Sequence, residues 1–322
     1  MLTLHTCPPR SAEAPQGDDL TTNVVWIDLL NPTREEELRF EEKLGVLLPT
    51  REDMAEIETS SRLYIENNAA FMTAQVAFFG GKTVLQSEPV TFVLVGGRLV
   101  TIRYIEPASF KTFAGQIEKH PVMCSDGPTT FLNLIDVIID RTADLIEKTA
   151  KGIETLQGSI FTNRRQTRLE DVIIKLGGAQ HDNAKIRDSL VSLARLTAFA
   201  SGLEMEEAGV KPAELRDFRE RLKTMAQDVS SLSDHASYVS GNIAFLLDAA
   251  LGLINVEQNT IVKIISITSV IFLPLTLIAS IYGMNFEHMP FLHSPEGFWA
   301  TCAVMVMIII GLLWLFKVRR WI

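Results

Sequence analysis

Two long apolar segments lie in the last quarter of the chain, and a short polar link separates them. Residues 264–282 and 298–316 contain no charged side chain. Each is close to the roughly 20 apolar residues that a helix needs to cross the hydrocarbon core of a bilayer. The pattern predicts two membrane-spanning helices. The alternative is a pair of buried core helices.

The charges that flank these segments predict their orientation. The link, residues 283–297, contains no Lys or Arg, whereas Lys263 precedes the first segment and Lys317, Arg319 and Arg320 follow the second. Basic residues stay on the cytoplasmic side of a membrane protein. We therefore expect a multi-pass protein of the cell (inner) membrane with both termini in the cytoplasm and the link outside.

Short apolar stretches between turn-forming residues predict an α/β domain near the N-terminus, with a mainly antiparallel sheet. The predicted strands are residues 24–30, 62–67, 71–79, 90–95 and 98–105, and the predicted helices are residues 32–44, 50–58 and 107–120. Residues 80–83 end like a phosphate-binding loop, but Val76 stands where the first glycine of that motif belongs. They are better explained as a hairpin turn.

Helical patterns continue to the C-terminus. Residues 129–162 and 168–202 are predicted helices, and a third begins near Pro212 and meets no proline before Pro274. We therefore divide the chain into an N-terminal cytoplasmic domain (1–127), cytoplasmic helices (128–211), a long stalk helix that becomes the first span (212–282), an external loop (283–297), a second span (298–316) and a basic tail (317–322).

Composition narrows the function. The chain of 322 residues has a formal charge of −9 and a pI near 5.3, which argues against a nucleic-acid partner and fits a cation. Its three cysteines form no Cys-x-x-Cys pair. We find no nucleophile beside a base, no metal triad and no phosphate loop, so we expect neither an enzyme nor an organic cofactor. The spans imply membrane lipids as partners.

One face of the predicted stalk helix is largely polar or small where it enters the membrane. At 100° per residue, a stripe about 100° wide collects Asp248, Asn255, Asn259, Val262, Ser266, Ser269, Leu273, Thr276 and Ser280. Such residues often let membrane helices pack closely. The other interpretation is a pore shared by several copies of the chain, in which Val262, Ile265 and Leu273 form apolar rings.

The end of the first span carries a more specific signal. The sequence Tyr-Gly-Met-Asn at residues 282–285, followed by Phe-Glu-His-Met-Pro at 286–290, resembles the signature of the CorA family of magnesium channels. The resemblance is strong over the last 75 residues and rests on architecture before them. It implies a funnel-shaped homopentamer with an α/β cytoplasmic domain, long stalk helices and two C-terminal transmembrane helices. It also implies passive influx of divalent cations.

Site residues follow from the same resemblance. Asn285 matches the asparagine of the outer selectivity ring, with Gly283 and Met284 shaping the turn. Asn259, Val262, Ile265, Leu273 and Thr276 match pore-lining positions of the family, and the stripe adds Asn255, Ser266 and Ser280 to the candidate pore-lining residues. Without the resemblance, Gly283 and Asn285 are explained as helix caps. Glu287 is a candidate carboxylate at the outer mouth, although Phe291 replaces a glutamate that is common in the family.

The resemblance also implies a sensor for internal Mg²⁺. Asp53, next to Glu52, and Asp248 match acidic positions of the family and are the candidate regulatory ligands between subunits. The alternative is that both are solvated surface acids. Ser61-Arg62-Leu63 departs from a basic sequence that the family often carries there.

We therefore expect a divalent cation channel for passive Mg²⁺ influx, with Co²⁺ and Ni²⁺ as further candidate ions, gated by internal Mg²⁺. The alternative is a zinc transporter of the related ZntB type, driven by protons. A two-span receptor is a third class, but its sensor domain would normally lie outside, and the external link is short.

Overall fold

The computed structural model describes residues 2–6, 24–56, 58–81, 84–162, 168–204, 209–284, 290, 296–319 and 321. The chain forms two compact units, Met1–Leu247 and Asp248–Ile322, which we call unit 1 and unit 2.

Unit 1 is built on a six-stranded mixed sheet. Its strands are β1 (Leu2–Thr6), β2 (Val24–Leu30), β3 (Leu63–Glu66), β4 (Ala69–Gly80), β5 (Val84–Val95) and β6 (Arg98–Arg103). Their spatial order is β1-β2-β6-β5-β4-β3. The β2–β6 pair is parallel and every other pair is antiparallel.

Helices cover both faces of this sheet. The helices are α1 (Arg34–Leu44), α2 (Arg51–Ala55), α3 (Thr59–Arg62), α4 (Ala108–Lys119), α5 (Gly127–Phe161) and α6 (Leu169–Ser201), with a 3₁₀ turn at Pro121–Cys124. On one face, Phe40 of α1 and Met54 of α2 pack with Ile27 and Val100 of the sheet. On the other, the Trp26 ring lies 5.4 Å from that of Phe113 in α4. Both faces are buried, as expected for an α/β domain.

Local sequence explains where several elements begin. Thr33 and Thr50 start α1 and α2 with capping boxes, in which the side chain accepts from the third helical N–H and the acidic third residue accepts in return. Gly127 opens α5 with its N–H 2.8 Å from the Gly97 carbonyl oxygen. A Cβ there would lie 2.4 Å from the Arg98 carbonyl carbon, so only glycine fits.

The long helix α7 (Leu215–Tyr282) begins in unit 1, where it packs as part of a helical bundle. Its buried side chains there recur at steps of three, four or seven residues, namely Phe218, Leu222, Met225, Val229, Ala236, Val239, Ile243 and Leu246. Asn183 of α6 donates to the Ala236 carbonyl at 2.9 Å, and Arg221 donates to Asn133 of α5 at 2.8 Å. These contacts hold α5, α6 and the start of α7 together.

Unit 2 contains the rest of α7 and helix α8 (Gly297–Val318). Both helices are long and apolar enough to span a membrane. In each, the most apolar 18-residue window contains no buried residue. Each has one partly covered face. On α7 the partly covered positions include Ile267, Ile271, Leu275 and Ile278, and on α8 they include Cys302, Met305, Ile309 and Leu312. This spacing is that of two helices packed along one face each.

The predicted fold class is confirmed, with an α/β unit, a long stalk helix and two C-terminal apolar helices. The structure adds β1, which the sequence pattern did not predict, and begins β5 at Val84, six residues before the predicted start. The helix predicted for residues 50–58 ends earlier, at Ala55, because Glu56 is extended at φ −57° and ψ 144°. A separate short helix, α3, begins at Thr59, just past the predicted range. Our division into domains stays a prediction.

Candidate ion pathway

The polar stripe of α7 is exposed along its whole length in unit 2. The exposed positions are Asp248, Asn255, Asn259, Val262, Ser266, Ser269, Leu273, Thr276 and Ser280, and Ile265 at the edge of the stripe is exposed as well. The partly covered residues of α7 lie on the opposite face. The polar stripe therefore lies on the side of α7 opposite the covered face, and no other part of the chain that the structure describes covers it.

Hydroxyl groups on the stripe donate their hydrogens to the helix itself. Ser266 Oγ donates to the Val262 carbonyl at 2.8 Å, and Ser269 Oγ donates to the Ile265 carbonyl at 2.9 Å. Thr276 Oγ1 lies 3.0 Å from the Phe272 carbonyl oxygen. A hydroxyl that has used its hydrogen keeps lone pairs as acceptors. The stripe therefore presents acceptor oxygens, which match the outward hydrogens of a hydrated cation.

Ser269 shares the stripe with these residues, although the sequence analysis did not place it among the candidate pore-lining residues. It is exposed and has the same back-bonded geometry as Ser266. Its position in the 100° stripe is the sequence signal that could have identified it as a candidate pore-lining residue.

Large apolar side chains interrupt the polar positions. Val262 is 61% exposed, Ile265 is 60% exposed and Leu273 is 67% exposed. Contiguous exposed apolar side chains mark a surface that contacts lipid or another protein. If copies of the chain share a pathway, these residues would form the apolar constrictions at which it closes by dewetting.

Gly283 lies directly after the last residue of α7. Gly283 donates to the Ala279 carbonyl at 2.9 Å, and it is not among the residues with positive φ. Gly283 therefore ends the helix without a left-handed backbone, and its explanation as an ordinary helix cap stays open. A Cβ would lie 3.1 Å from the Ala279 oxygen, so the position is tight for a side chain. Met284 is 48% exposed.

Asn285 and Glu287 lie outside the described residues, so the selectivity ring and the outer mouth stay predictions.

The two candidate sensor residues lie in different units and are both exposed. Asp53 Oδ2 accepts from the Thr50 N–H at 2.8 Å and from the Thr50 hydroxyl at 2.7 Å. These hydrogen bonds, that from the side chain first, lower the pKa of Asp53 below its ordinary value of 3.8. Asp53 is therefore part of the capping box at the start of α2. Within the part of the chain that the structure describes, no group of three His, Cys, Asp or Glu side chains could hold a metal ion.

Known proteins share both the sequence and the fold. The family described as "CorA-like Mg2+ transporter protein" matches residues 22–319. The magnesium transport protein CorA of Pectobacterium atrosepticum is 30% identical over 321 residues, which cover 99% of this chain and 98% of that protein.

Two solved structures share the fold. The complete CorA magnesium transporter of Methanocaldococcus jannaschii is 18% identical and superposes with a TM-score of 0.79 over 99% of this chain and 98% of that one. The ZntB cytoplasmic domain of Vibrio parahaemolyticus is a more distant match, with 10% identity and a TM-score of 0.51 over 71% of this chain and 87% of that domain.

Fold and sequence together define a membrane transporter of divalent cations, not an enzyme. The chain belongs to the CorA-like Mg²⁺ transporter family, since the family match spans most of its length. Mg²⁺ is the substrate that this family transports.

Proposed function

We propose that the protein is a channel for passive Mg²⁺ entry, formed by several copies of the chain around a shared axis, with Co²⁺ and Ni²⁺ as further permeant ions. The observation that carries the proposal is the exposed stripe of acceptor oxygens on an otherwise apolar helix. Lipid is a poor surrounding for this stripe, because the hydroxyl oxygens of Ser266, Ser269 and Thr276 would keep acceptor lone pairs without partners in hydrocarbon. A shared aqueous path satisfies them.

Two spans per chain cannot enclose such a path, so the proposal requires a homo-oligomer, and the family resemblance favours a homopentamer. Exposed aromatic residues on α7 support self-association. Tyr238 is 64% exposed and Phe245 is 58% exposed. They are seven residues apart and therefore lie on one face of the helix. The funnel shape and the cytoplasmic position of both termini belong to the same proposal.

Selection depends on keeping the ion hydrated. Mg²⁺ loses its water slowly, so a fast site recognises its hydration shell through hydrogen-bond acceptors. We assign this role to the amide oxygens of Asn285, one from each chain, with Gly283 and Met284 holding the turn. Asn255, Asn259 and Thr276 would offer further acceptors along the path. Glu287 at the mouth would raise the local concentration of cations, an effect that salt weakens.

Energy for entry comes from the membrane potential. One charge crossing 100 mV gains about 2.3 kcal/mol, so a divalent cation gains roughly 4.6 kcal/mol. This driving force needs no nucleotide hydrolysis. It also predicts that entry follows voltage.

We assign internal control to Asp53 of one subunit and Asp248 of its neighbour, bridged by Mg²⁺ when that ion is abundant. Asp53 has a carboxylate oxygen to offer, because both described hydrogen bonds that its carboxylate accepts go to Oδ2. Asp53→Asn with Asp248→Asn should keep the channel open at internal Mg²⁺ concentrations that close the wild type. Glu52→Gln is the control. Unchanged inhibition in the double variant would refute this assignment.

Purified protein in liposomes tests the proposal. Dyes inside the vesicles report Mg²⁺ and Zn²⁺, first under an inward-negative potential and then under a proton gradient alone. Mg²⁺ entry that follows voltage supports the channel. Zn²⁺ entry that needs the proton gradient would instead support the zinc alternative. Absence of both fluxes would favour the view that the stripe only packs helices.

A further inference from the structure

A concave site in unit 1 lies far along the chain from the spans and carries an unbalanced positive charge. It is a cavity of about 390 Å³ between α3, the β3–β5 edge of the sheet and α6. Its volume lies in the range of small-molecule sites. The lining residues that matter here are Arg62, Ser87, Lys185, Asp188, Ser192 and Arg195.

The sheet creates this cavity because β3 is short. It pairs with β4 only from Ala69 to Met72. Beyond that point α6 takes over the open edge of β4, since the Gln75 N–H donates to Ser192 Oγ at 2.9 Å and Ser189 Oγ donates to the Gln75 carbonyl at 2.8 Å. These bonds fix α6 beside the strand and leave a groove where β3 ends.

One face of helix α6 lines this cavity, which we also call the groove. Lys185, Asp188, Ser192 and Arg195 are spaced three, four and three residues apart, which places them in one row along the helix. Arg62 faces the same space from the end of α3. Its Nε atom donates to the Glu56 carbonyl, so this guanidinium is held in position by the chain.

Charge in the groove is not balanced. Three cationic side chains face a single carboxylate, that of Asp188, in a chain whose formal charge is −9. Of the residues that the structure describes, no carboxylate lies within ion-pair distance of Arg62, Lys185 or Arg195. Burial, and then the charge of Arg195, lower the pKa of Arg62. Two guanidinium groups that repel one another across a cavity create a field that attracts an anion.

Hydrogen-bond donors complete the site. The Ser87 Oγ atom is shielded from solvent and has no partner among the described residues. Arginine forks and lysine ammonium groups recognise phosphate and carboxylate oxygens. No aromatic ring is among the described residues that line the cavity, so nothing there would stack on a nucleotide base.

We propose that this groove binds a phosphate-class oxyanion through Arg62, Lys185 and Arg195, with Ser87 as an additional donor. The anion is recognised by its phosphate oxygens alone. Inorganic pyrophosphate and the phosphate chain of a nucleotide are two sources of the same chemistry.

Calorimetric titration of the full-length protein in detergent tests this proposal. Pyrophosphate and ATP are the probes, in buffer freed of divalent metal so that chelation does not contribute. We expect both to bind with affinities within threefold of each other and to bind more weakly as NaCl is added. No heat of binding at millimolar pyrophosphate would overturn the proposal. Binding of ATP more than tenfold tighter than pyrophosphate would also overturn it, because the adenosine part of ATP would then contribute to the affinity.

Matched variants locate the site. Arg195→Gln removes one charge-assisted contact and should weaken pyrophosphate binding at least tenfold. Arg187→Gln, exposed on the same helix but outside the lining, should change it less than twofold. Equal effects of the two variants would refute the assignment. Arg195 is itself exposed, so its loss should leave folding intact. Lys185→Gln with Lys175→Gln as its control repeats the comparison on a second pair.

Discussion

Unit 1 and unit 2 differ in how far the single chain buries their large apolar side chains. Unit 1 buries Trp26 and Ile27 to 1% exposure or less and keeps an ion pair, Asp28 with Arg103, inside. Unit 2 leaves Leu273 and Trp314 each 67% exposed. The core of unit 1 is complete within one chain, whereas unit 2 must be covered by lipid or by other copies. Changes in unit 1 should therefore affect stability, and changes on the stripe of unit 2 should affect transport.

The largest expected effect is on transport. Asn285→Ala removes the amide oxygen that we assign to the selectivity ring, so Mg²⁺ entry into liposomes should fall to the background of empty vesicles. The thermal unfolding of unit 1 and the size of the assembly should not change. Flux that stays at the wild-type level would reduce Asn285 to a helix cap and remove the main functional difference between the units.

The next effect is on the stability of unit 1. Arg103 donates to both carboxylate oxygens of Asp28, at 3.0 and 2.7 Å, and both side chains are buried. Arg103→Met leaves Asp28 charged and buried without its cation, which should cost about 3–5 kcal/mol of unfolding free energy. Thermal and urea unfolding in detergent measure it.

Arg141→Met is the control for this loss. Arg141 pairs with Asp144 at 3.1 Å, but the two side chains are 46% and 61% exposed. Its removal should therefore cost less than about 1 kcal/mol. Similar losses for both variants would show that burial does not determine the effect, contrary to the contrast drawn between buried and exposed polar groups.

A smaller effect separates the stripe from the rest of α7. Thr276 on the stripe and Thr268 on the opposite side both donate to the carbonyl four residues earlier, at 3.0 and 2.9 Å. Replacing either by Val removes the same local bond. Thr276→Val should reduce Mg²⁺ flux about three- to tenfold, the equivalent of one lost hydrogen bond, and Thr268→Val should not. Equal fluxes would indicate that the stripe does not line the path.

Long regular elements could be predicted from the sequence because their signals repeat over many turns. The spans, the stalk and the helices α5 and α6 are of this kind. Short elements were harder. Strand β1 has five residues, and the extended backbone at Glu56 that separates α2 from α3 carries neither proline nor glycine as a marker.

The candidate sites divide in the same way. The stripe follows from helical periodicity, but Asn285 was singled out by family resemblance and not by physics. The basic groove could not be predicted. Arg62 lies more than 120 residues from Lys185 and Arg195 along the chain, and only the short β3 and the bonds between α6 and β4 bring them together. No local pattern contains that information.

The smallest effect concerns Asp53, which has both a capping role in unit 1 and a proposed regulatory one. Asp53→Ala removes the acceptor for Thr50 and should lower the unfolding free energy by about 0.5–1 kcal/mol. Glu52→Ala is the control, since Glu52 is also exposed and acidic in the first turn of α2 but is not the residue that bonds Thr50.

The pH dependence of this difference has a definite sign. The folded pKa of Asp53 is lowered relative to its ordinary value of 3.8, so the ionised carboxylate stabilises the fold above that pH. The contribution is lost as the pH falls through the folded pKa. The gap between wild type and Asp53→Ala, followed by thermal unfolding, should therefore be full at neutral pH and narrow below about pH 4. A gap that widens in acid would contradict the capping geometry, because protonation would then strengthen a contact that depends on the charge.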